Sequence, residues 1–413
     1  MKRFILIFLV LISTLVIFSI DNQYFNEEFK RSFFFFWEQA NINEKSSGYG
    51  LIRDRYPGNP NVASIASTGY GLAAIPIGIE KGWISYEEGY TRVNKTLDTL
   101  LNLKNIRGFF YHFLDINTGK RIWNSEISTI DTSILLCGVL TAGEYFGGEI
   151  KEKAEKLYKN VNWKMFVDKS TNYFYMAFYP EKGFSGKWDF YAEQLMMYIL
   201  AAGSPTYPIN EDVYYSFKRH EGNYKSKKFI HSWFGSLFTY QYSHAWIDFR
   251  NKKDKLGVDW FENSVNASIA NYNYCVDLSN KFKSFSKDRW GLSACDSPNG
   301  YNGLFGAPPS GYNNKQHKVD GTIATSAALG SIVFTPDLSL KALNAFYKIS
   351  GLVGKYGLKN AFNLDKNWIA NDYIGIDKGI ILLMFANYEN EFVWKLFNKN
   401  QYIKNGLKRL EIQ

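Results

Sequence analysis

Apolar residues recur at helical spacing in stretches near 29–42, 64–81, 85–103, 126–147, 150–160, 189–202, 210–219, 257–282, 321–334, 337–351 and 376–397. Glycine and proline punctuate the gaps, as at Pro57-Gly58, Gly147-Gly148, Gly203 to Pro205, Pro308-Pro309 and Pro336. The stretches are of two kinds. Residues 85–103 and 150–160 are amphipathic and charged, whereas 130–142, 190–202 and 379–386 are apolar almost all round. A helix that is apolar on every side must be buried on every side. The alternation predicts two concentric rings, amphipathic outside and apolar inside, that is, an all-α toroid. Two long segments, 220–256 and 284–320, break the pattern and are expected to be lids or binding loops. A small hairpin is expected around Asn172 to Tyr179. No Pro/Ser-rich linker divides the chain, so residues 21–413 are expected to form a single unit.

The first residues have a different character. Lys2 and Arg3 precede an almost wholly apolar run from Phe4 to Ile20, the pattern of an export signal. Phe18-Ser19-Ile20 is a poor cleavage site, so residues 1–20 read as a signal peptide or an uncleaved anchor, with membrane attachment through residues 4–20. The expected location is periplasmic, extracellular or the membrane surface.

Composition narrows the classes. The formal net charge is +9, from 48 basic and 39 acidic residues; setting aside Lys2 and Arg3 leaves an excess of +7, thinly spread. No basic stripe or nucleic-acid motif accompanies it, so no nucleic-acid partner is expected. Three cysteines, Cys137, Cys275 and Cys295, cannot form a disulfide framework, and pairing of Cys275 with Cys295 stays open. The five histidines form no metal motif, and there is no nucleophile elbow, Walker loop or dinucleotide fingerprint. Neither a metal nor another cofactor is implied. A monomer is expected.

The chemistry points to carboxylates at the start of very apolar helices. Glu126 and Asp131 precede Ile134-Leu135-Leu136, Asp189 and Glu193 precede Leu195 to Leu200, and Asp372 and Asp377 precede Ile380 to Phe385. A helix N-terminus favours the ionised form, whereas an apolar wall raises the pKa. Opposed environments of that kind separate an acid from a base. For any one of these acids N-capping or salt bridging is the first reading; the repetition across three apolar helices favours a shared site. Glycoside hydrolysis needs such a pair. Aromatic residues are 18% of the chain, and Trp37, Trp188, Tyr191, Trp233, Tyr242, Trp246, Trp290 and Tyr301 are candidate sugar platforms. Each singly reads first as core; Trp188, Trp233, Trp290 and Tyr301, beside polar loop residues, are the better candidates. His244, in Tyr242-Ser-His-Ala-Trp-Ile-Asp248, reads first as a core or loop histidine and second as a substrate contact.

These residues also carry a resemblance. Asp54-Arg-Tyr-Pro-Gly, Ala63-Ser-Ile-Ala-Ser-Thr-Gly-Tyr-Gly-Leu, Glu126-Ile-Ser-Thr-Ile-Asp-Thr and Glu193-Gln-Leu-Met-Met-Tyr-Ile-Leu-Ala-Ala-Gly-Ser-Pro resemble the bacterial glycoamylase-like domain family. Gln241-Tyr-Ser-His-Ala-Trp-Ile-Asp, Asn263-Ser, Trp290-Gly-Leu-Ser-Ala, Asp320-Gly-Thr-Ile-Ala and Gly375-Ile-Asp-Lys-Gly extend the match, in order, from Phe33 to Trp394. The resemblance implies an (α/α)6 barrel and endo-cleavage of β-1,2-glucan to sophorooligosaccharides with inversion. It implies Glu193 as acid, Asp377 as base, and Glu126 and Asp131 as substrate-binding acids, with the proton relayed through a substrate hydroxyl or water. Trp188, Tyr242, His244, Trp290, Tyr301 and Lys378 complete the expected substrate contacts. Two departures stand out. Lys378 replaces a usual Gln, and an ammonium there would lower the pKa of Asp377 or bind substrate. Thr325-Ser326 replaces a Pro-containing turn. Two rival readings remain: a toroid lyase acting on acidic polysaccharide, motivated by the +7 excess, and a non-catalytic surface glycan-binding protein.

Overall fold

The computed structural model describes residues 23–310 and 316–413; the leader and its possible anchor lie outside the described residues. The helices are α1 (23–38), α2 (Ile65–Glu80), α3 (Tyr86–Asn102), α4 (Thr129–Phe146), α5 (Gly148–Lys159), α6 (Leu195–Gly203), α7 (Glu211–Tyr215), α8 (Phe238–Trp246), α9 (Trp260–Asp277), α10 (Thr325–Leu329), α11 (Pro336–Tyr347), α12 (Gly375–Asn390), α13 (Phe392–Phe397) and α14 (Gln401–Arg409). None of the described helices is long and apolar enough to cross a membrane.

Helices α2, α4, α6, α8, α10 and α12 pack side by side in a closed circuit. α2 and α4 meet where Gly69 faces Gly138; a Cβ on Gly138 would lie 1.9 Å from the Gly69 carbonyl, so only glycine lets the backbones approach this closely. α4 touches α6. The amide of Met196 on α6 donates to Ser243 Oγ on α8 at 3.0 Å. Gln241 Nε2 on α8 donates to the Ala327 carbonyl on α10 at 2.8 Å. Ser326 on α10 donates to Asp377 on α12, and Gly379 of α12 lies against the Tyr70 ring of α2. The amphipathic helices lie outside: α3 packs on α5, α5 on α4, α9 on α8 and α11 on α10. Amphipathic helices thus pack against the outside of the apolar ones, as the hydropathy pattern implies.

Two expectations need correction. Residues 238–246 are not loop but helix α8, an inner member of the circuit. The chain also carries more β-structure than an all-α reading allows. The hairpin expected at 172–179 is a ladder of Tyr175–Tyr179 with Gly183–Lys187, and Ile127–Ser128 joins its other edge. Short antiparallel ladders also involve Val62–Ser64, Ile323–Ala324 and Tyr373–Ile374. Each of these strands, like Ile127–Ser128, runs directly into an inner helix. Extended backbone at Ser64, Ser128, Ala324 and Ile374 then starts α2, α4, α10 and α12. At Ser64 and Ser128 the side chain also accepts from an amide in the first turn, as an N-cap should. The ladders thereby fix where the inner helices begin.

Candidate active site

A cavity of about 170 Å³ opens at this end of the circuit, lined among others by His112, Asp131, Glu193, Tyr242, Tyr301 and Asp377. Asp131 and Asp377 lie in the first turns of α4 and α12, and Glu193 lies just before α6. Of the six acids expected to converge, Asp131, Glu193 and Asp377 line the cavity, and Glu126 meets it through His112. Their neighbours Asp189 and Asp372 are used elsewhere: Asp189 pairs with Lys218, and Asp372 accepts from Arg55 and from the Gly58 amide.

Burial pushes the Glu193 carboxyl up to about 7; a backbone hydrogen bond offsets part of this, and the charge of Asp131 adds to the rise. Its backbone is anchored by Ser243 Oγ, which donates to the Glu193 carbonyl at 2.6 Å. Burial likewise pushes Asp377 up to about 7, with the charge of Asp296 adding to the rise. Two donors work against it: Ser326 Oγ at 2.7 Å and Asn360 Nδ2 at 2.5 Å. Ser326 belongs to the departure Thr325-Ser326, so that change supplies a partner for the expected base. Asp131 accepts from its own N-cap, Ser128 Oγ, at 2.5 Å.

His112 was not singled out in the sequence, yet it lines the cavity between two of the acids. Its Nδ1 lies 2.8 Å from Glu126 Oε1 and its Nε2 lies 3.6 Å from Asp131 Oδ1. Burial opposes the ring's charge, but Asp131, Glu126 and Asp54 outweigh it and raise its pKa to about 9. At neutral pH it is an imidazolium donating to Glu126, whose own pKa is lowered despite burial because His112 bonds to it. One ligand atom from each of His112, Glu126 and Asp131 lies within 4.8 Å of the others, the spacing a cation would need. Within the trio, the hydrogen bond of His112 to Glu126 and its approach to Asp131 form an ion-pair network.

The network makes stability depend on pH. The folded pKa of His112 lies above the ordinary 6.5, so its contribution is full below pH 6.5 and is lost as pH rises through 9. At about 1.36 kcal/mol per pKa unit it amounts to at most about 3 kcal/mol, reduced by solvent at a side chain 27% exposed. His112→Gln is expected to lower the melting temperature clearly at pH 6. The gap to the parent should close by pH 10. A gap that does not change with pH would mean the ring is neutral.

Other expected contacts are not brought to the cavity. Trp290 is fully buried and donates to the Leu338 carbonyl, and Trp188 is buried and donates to Thr129 Oγ1. His244 is enclosed by Phe249, Phe261 and Phe334, with Nε2 2.9 Å from Ser264 Oγ. Tyr191 and Trp246 are also core. Lys378 points away from the cavity and forms a buried pair with Glu28 of α1, which also accepts from Tyr347 and the Leu358 amide. It is not among the residues lining the cavity, and its charge meets Glu28 more strongly than it meets Asp377. For Trp188, Trp290 and Lys378 a long-range partner claims the polar atom that was expected to meet substrate. Tyr242 and Tyr301 do line the cavity. Tyr301 stands on the hairpin Cys295–Ser297 with Gly300–Asn302, tethered by Asp296 to Arg55. All three cysteines are free and buried, so Cys275 and Cys295 are not paired.

The Parabacteroides distasonis protein described as an exo β-1,2-glucooligosaccharide sophorohydrolase, acting at the non-reducing end, is 28% identical over 95% of this chain, which spans 58% of that protein's length. The endo-β-1,2-glucanase of Chitinophaga pinensis, solved with sophorotriose and glucose, superposes with a TM-score of 0.86 at 30% identity, covering 95% of this chain and 98% of that one. A structure from Bacteroides uniformis described as a "putative glucoamylase" superposes with a TM-score of 0.87 at 30% identity, covering 95% and 98%. Residues 185–401 match the family model Glycoamylase, described in the same words, so more than half of the chain lies within it and the chain belongs to the glycoamylase family.

Proposed function

We propose that this chain is an exported glycoside hydrolase that cleaves β-1,2-glucan internally with inversion, releasing sophorooligosaccharides. The observation that carries this reading is the meeting of Glu193 and Asp377 in one cavity, each with a pKa near 7. Near neutral pH such groups can share the roles of acid and base. Glu193, with no ion pair among the described residues and with the Asp131 carboxylate raising its pKa, is suited to hold a proton for the departing oxygen. Asp377, fixed by Ser326 and Asn360, is suited to take one from water or from a substrate hydroxyl that relays it. Asp131 and the Glu126–His112 pair present charged hydrogen-bonding groups to sugar hydroxyls, and Tyr242 and Tyr301 offer rings to sugar C–H faces. We read the closed circuit with its outer helices as an (α/α)6 barrel occupying residues 21–413, behind a leader at 1–20, and acting as a monomer.

Two of the relatives named above, from Parabacteroides distasonis and Chitinophaga pinensis, act on β-1,2-linked glucans by their descriptions, in exo and endo mode respectively. The endo reading is favoured by the near end-to-end match with the Chitinophaga pinensis enzyme. A lyase acting on uronates is disfavoured by the cavity's acids, because His112, the one cation among its named lining residues, is already paired with Glu126.

The test is product analysis on the purified protein with linear β-1,2-glucan, laminarin, a soluble cellulose derivative and starch. A ladder of sophorooligosaccharides from the first substrate, born as the α-anomer in an NMR time course, is expected. Sophorose alone from the outset would replace endo by exo action. Glucose from starch with no action on β-1,2-glucan would overturn the substrate assignment.

A further inference from the structure

Trp123 is 59% exposed, the largest side chain among the exposed apolar residues described. Its backbone is left-handed, with φ of 54°, and so is that of Asn124, with φ of 51°. Two consecutive non-glycine residues in that region cost on the order of 1–2 kcal/mol each. Such a cost persists where surrounding structure enforces it. Here Arg121 does so, donating from Nε to the Ser125 carbonyl at 2.6 Å and from Nη2 to the Asn124 carbonyl at 2.8 Å. Its guanidinium is in turn held by Glu181. Ser125 closes the turn by donating to the carbonyls of Ile122 and Phe113.

The held turn aims the indole along a row of rings that ends in the cavity. The edge contact of Trp123 with Phe113 has ring centroids 5.3 Å apart. Phe113 in turn stacks on His112, with centroids 3.8 Å apart and an interplanar angle of 17°. His112 lines the cavity. The exposed indole is thus two ring-to-ring steps from His112, and lies outside the cavity lining.

We propose that Trp123 is an outer subsite that binds one glucosyl ring of the substrate chain beyond those held in the cavity, stacking the sugar's C–H face on the indole. This rests on the β-1,2-glucan reading above. A flat ring fixed before binding loses little entropy when the sugar lands, which is how a single exposed aromatic contributes affinity. The site serves only chains long enough to reach it, so it discriminates by length.

The experiment compares Trp123→Ala and Trp123→Phe with the parent on purified sophorooligosaccharides of increasing length and on long β-1,2-glucan. Trp123→Ala is expected to lower kcat/KM about tenfold on long chains, mainly through KM. The loss should shrink steadily as the substrate shortens, and Trp123→Phe should recover most of it. Melting curves of both variants should overlay the parent. An equal loss at every length would make Trp123 a structural residue, and no loss at any length would empty the subsite; either overturns the proposal while leaving the catalytic reading standing. A parent protein inert on every β-1,2-linked substrate overturns the proposal together with the reading beneath it.

Discussion

Glu193→Gln lowers kcat on β-1,2-glucan by about 10²- to 10⁴-fold, the range that general acid catalysis contributes, and leaves the fold intact. The variant keeps the volume and one carbonyl oxygen of the parent but has no transferable proton. Its surroundings are suited to that isosteric change. The anchor at this position runs through the backbone, from Ser243 Oγ to the Glu193 carbonyl and from the Met196 amide to Ser243 Oγ, and the backbone amide that bonds to the carboxyl can donate to the glutamine carbonyl oxygen instead. In the parent, burial and the charge of Asp131 keep the carboxyl protonated up to about pH 7, which is the condition for an acid at working pH. An activated substrate, an aryl β-sophoroside whose phenolate leaves without protonation, isolates the role. There Glu193→Gln should lose far less than on the natural glucan. A loss of equal size on both substrates would remove Glu193 as the acid, and near-full activity on the glucan would remove it from the site.

How much of this was legible in the sequence depends on how local each cause is. Asp131 and Asp377 could be found because the signal is contiguous: an acid followed at once by a helix apolar on all sides, now seen to be an inner helix entered from a strand. α8 was missed because Gln241, Ser243 and His244 interrupt its apolar pattern. All three are buried, and each has a hydrogen-bond partner across the fold: Gln241 bonds to Ala327, Ser243 to Glu193 and His244, through Nε2, to Ser264. A polar residue with a tertiary partner looks, in sequence alone, like one facing water. The tryptophans failed for the same reason, since Trp188 and Trp290 sit beside polar residues in sequence while Thr129 and Leu338 receive their indole protons. His112 carried no helical or motif signal. It reaches the cavity because Val62–Ser64 pairs with Phe113–Asp115 and the His112 carbonyl accepts from the Ile65 amide at the start of α2. Asn360 is likewise placed by the ladder neighbouring Ile323–Ala324, not by anything near it in the chain.

Asp377→Asn should abolish turnover and, above neutral pH, make the protein more stable than the parent. The first outcome follows from the role: an amide cannot accept the proton that a base must take. The second follows from where the carboxyl is held. Asp377 is 7% exposed, and its pKa is raised from 3.8 to about 7, chiefly by burial. Below pH 3.8 the group is protonated in both the folded and unfolded states and its titration costs nothing. Between pH 3.8 and 7 the unfolded chain releases the proton while the folded protein keeps it, so folding stability falls with rising pH. Above pH 7 the loss is complete and, at about 1.36 kcal/mol per pKa unit, is of order 4 kcal/mol. Asparagine is neutral throughout and escapes the loss. Its amide can still accept from Asn360 and donate to the Ser326 hydroxyl, so the two hydrogen bonds survive in altered polarity. The melting temperature of Asp377→Asn should therefore match the parent near pH 4, pull ahead through pH 7 and hold a constant lead above pH 8. Activity should be absent at every one of those pH values. A variant that is inactive but gains no stability at pH 8 would mean that Asp377 is ionised well below neutrality, and a base that ionises easily would no longer need the burial that the helix N-terminus of α12 provides. A variant that gains stability while remaining active would place the base elsewhere among the acids of the cavity, with Asp131 next in line because it shares the same wall and the same helix-N-terminal position.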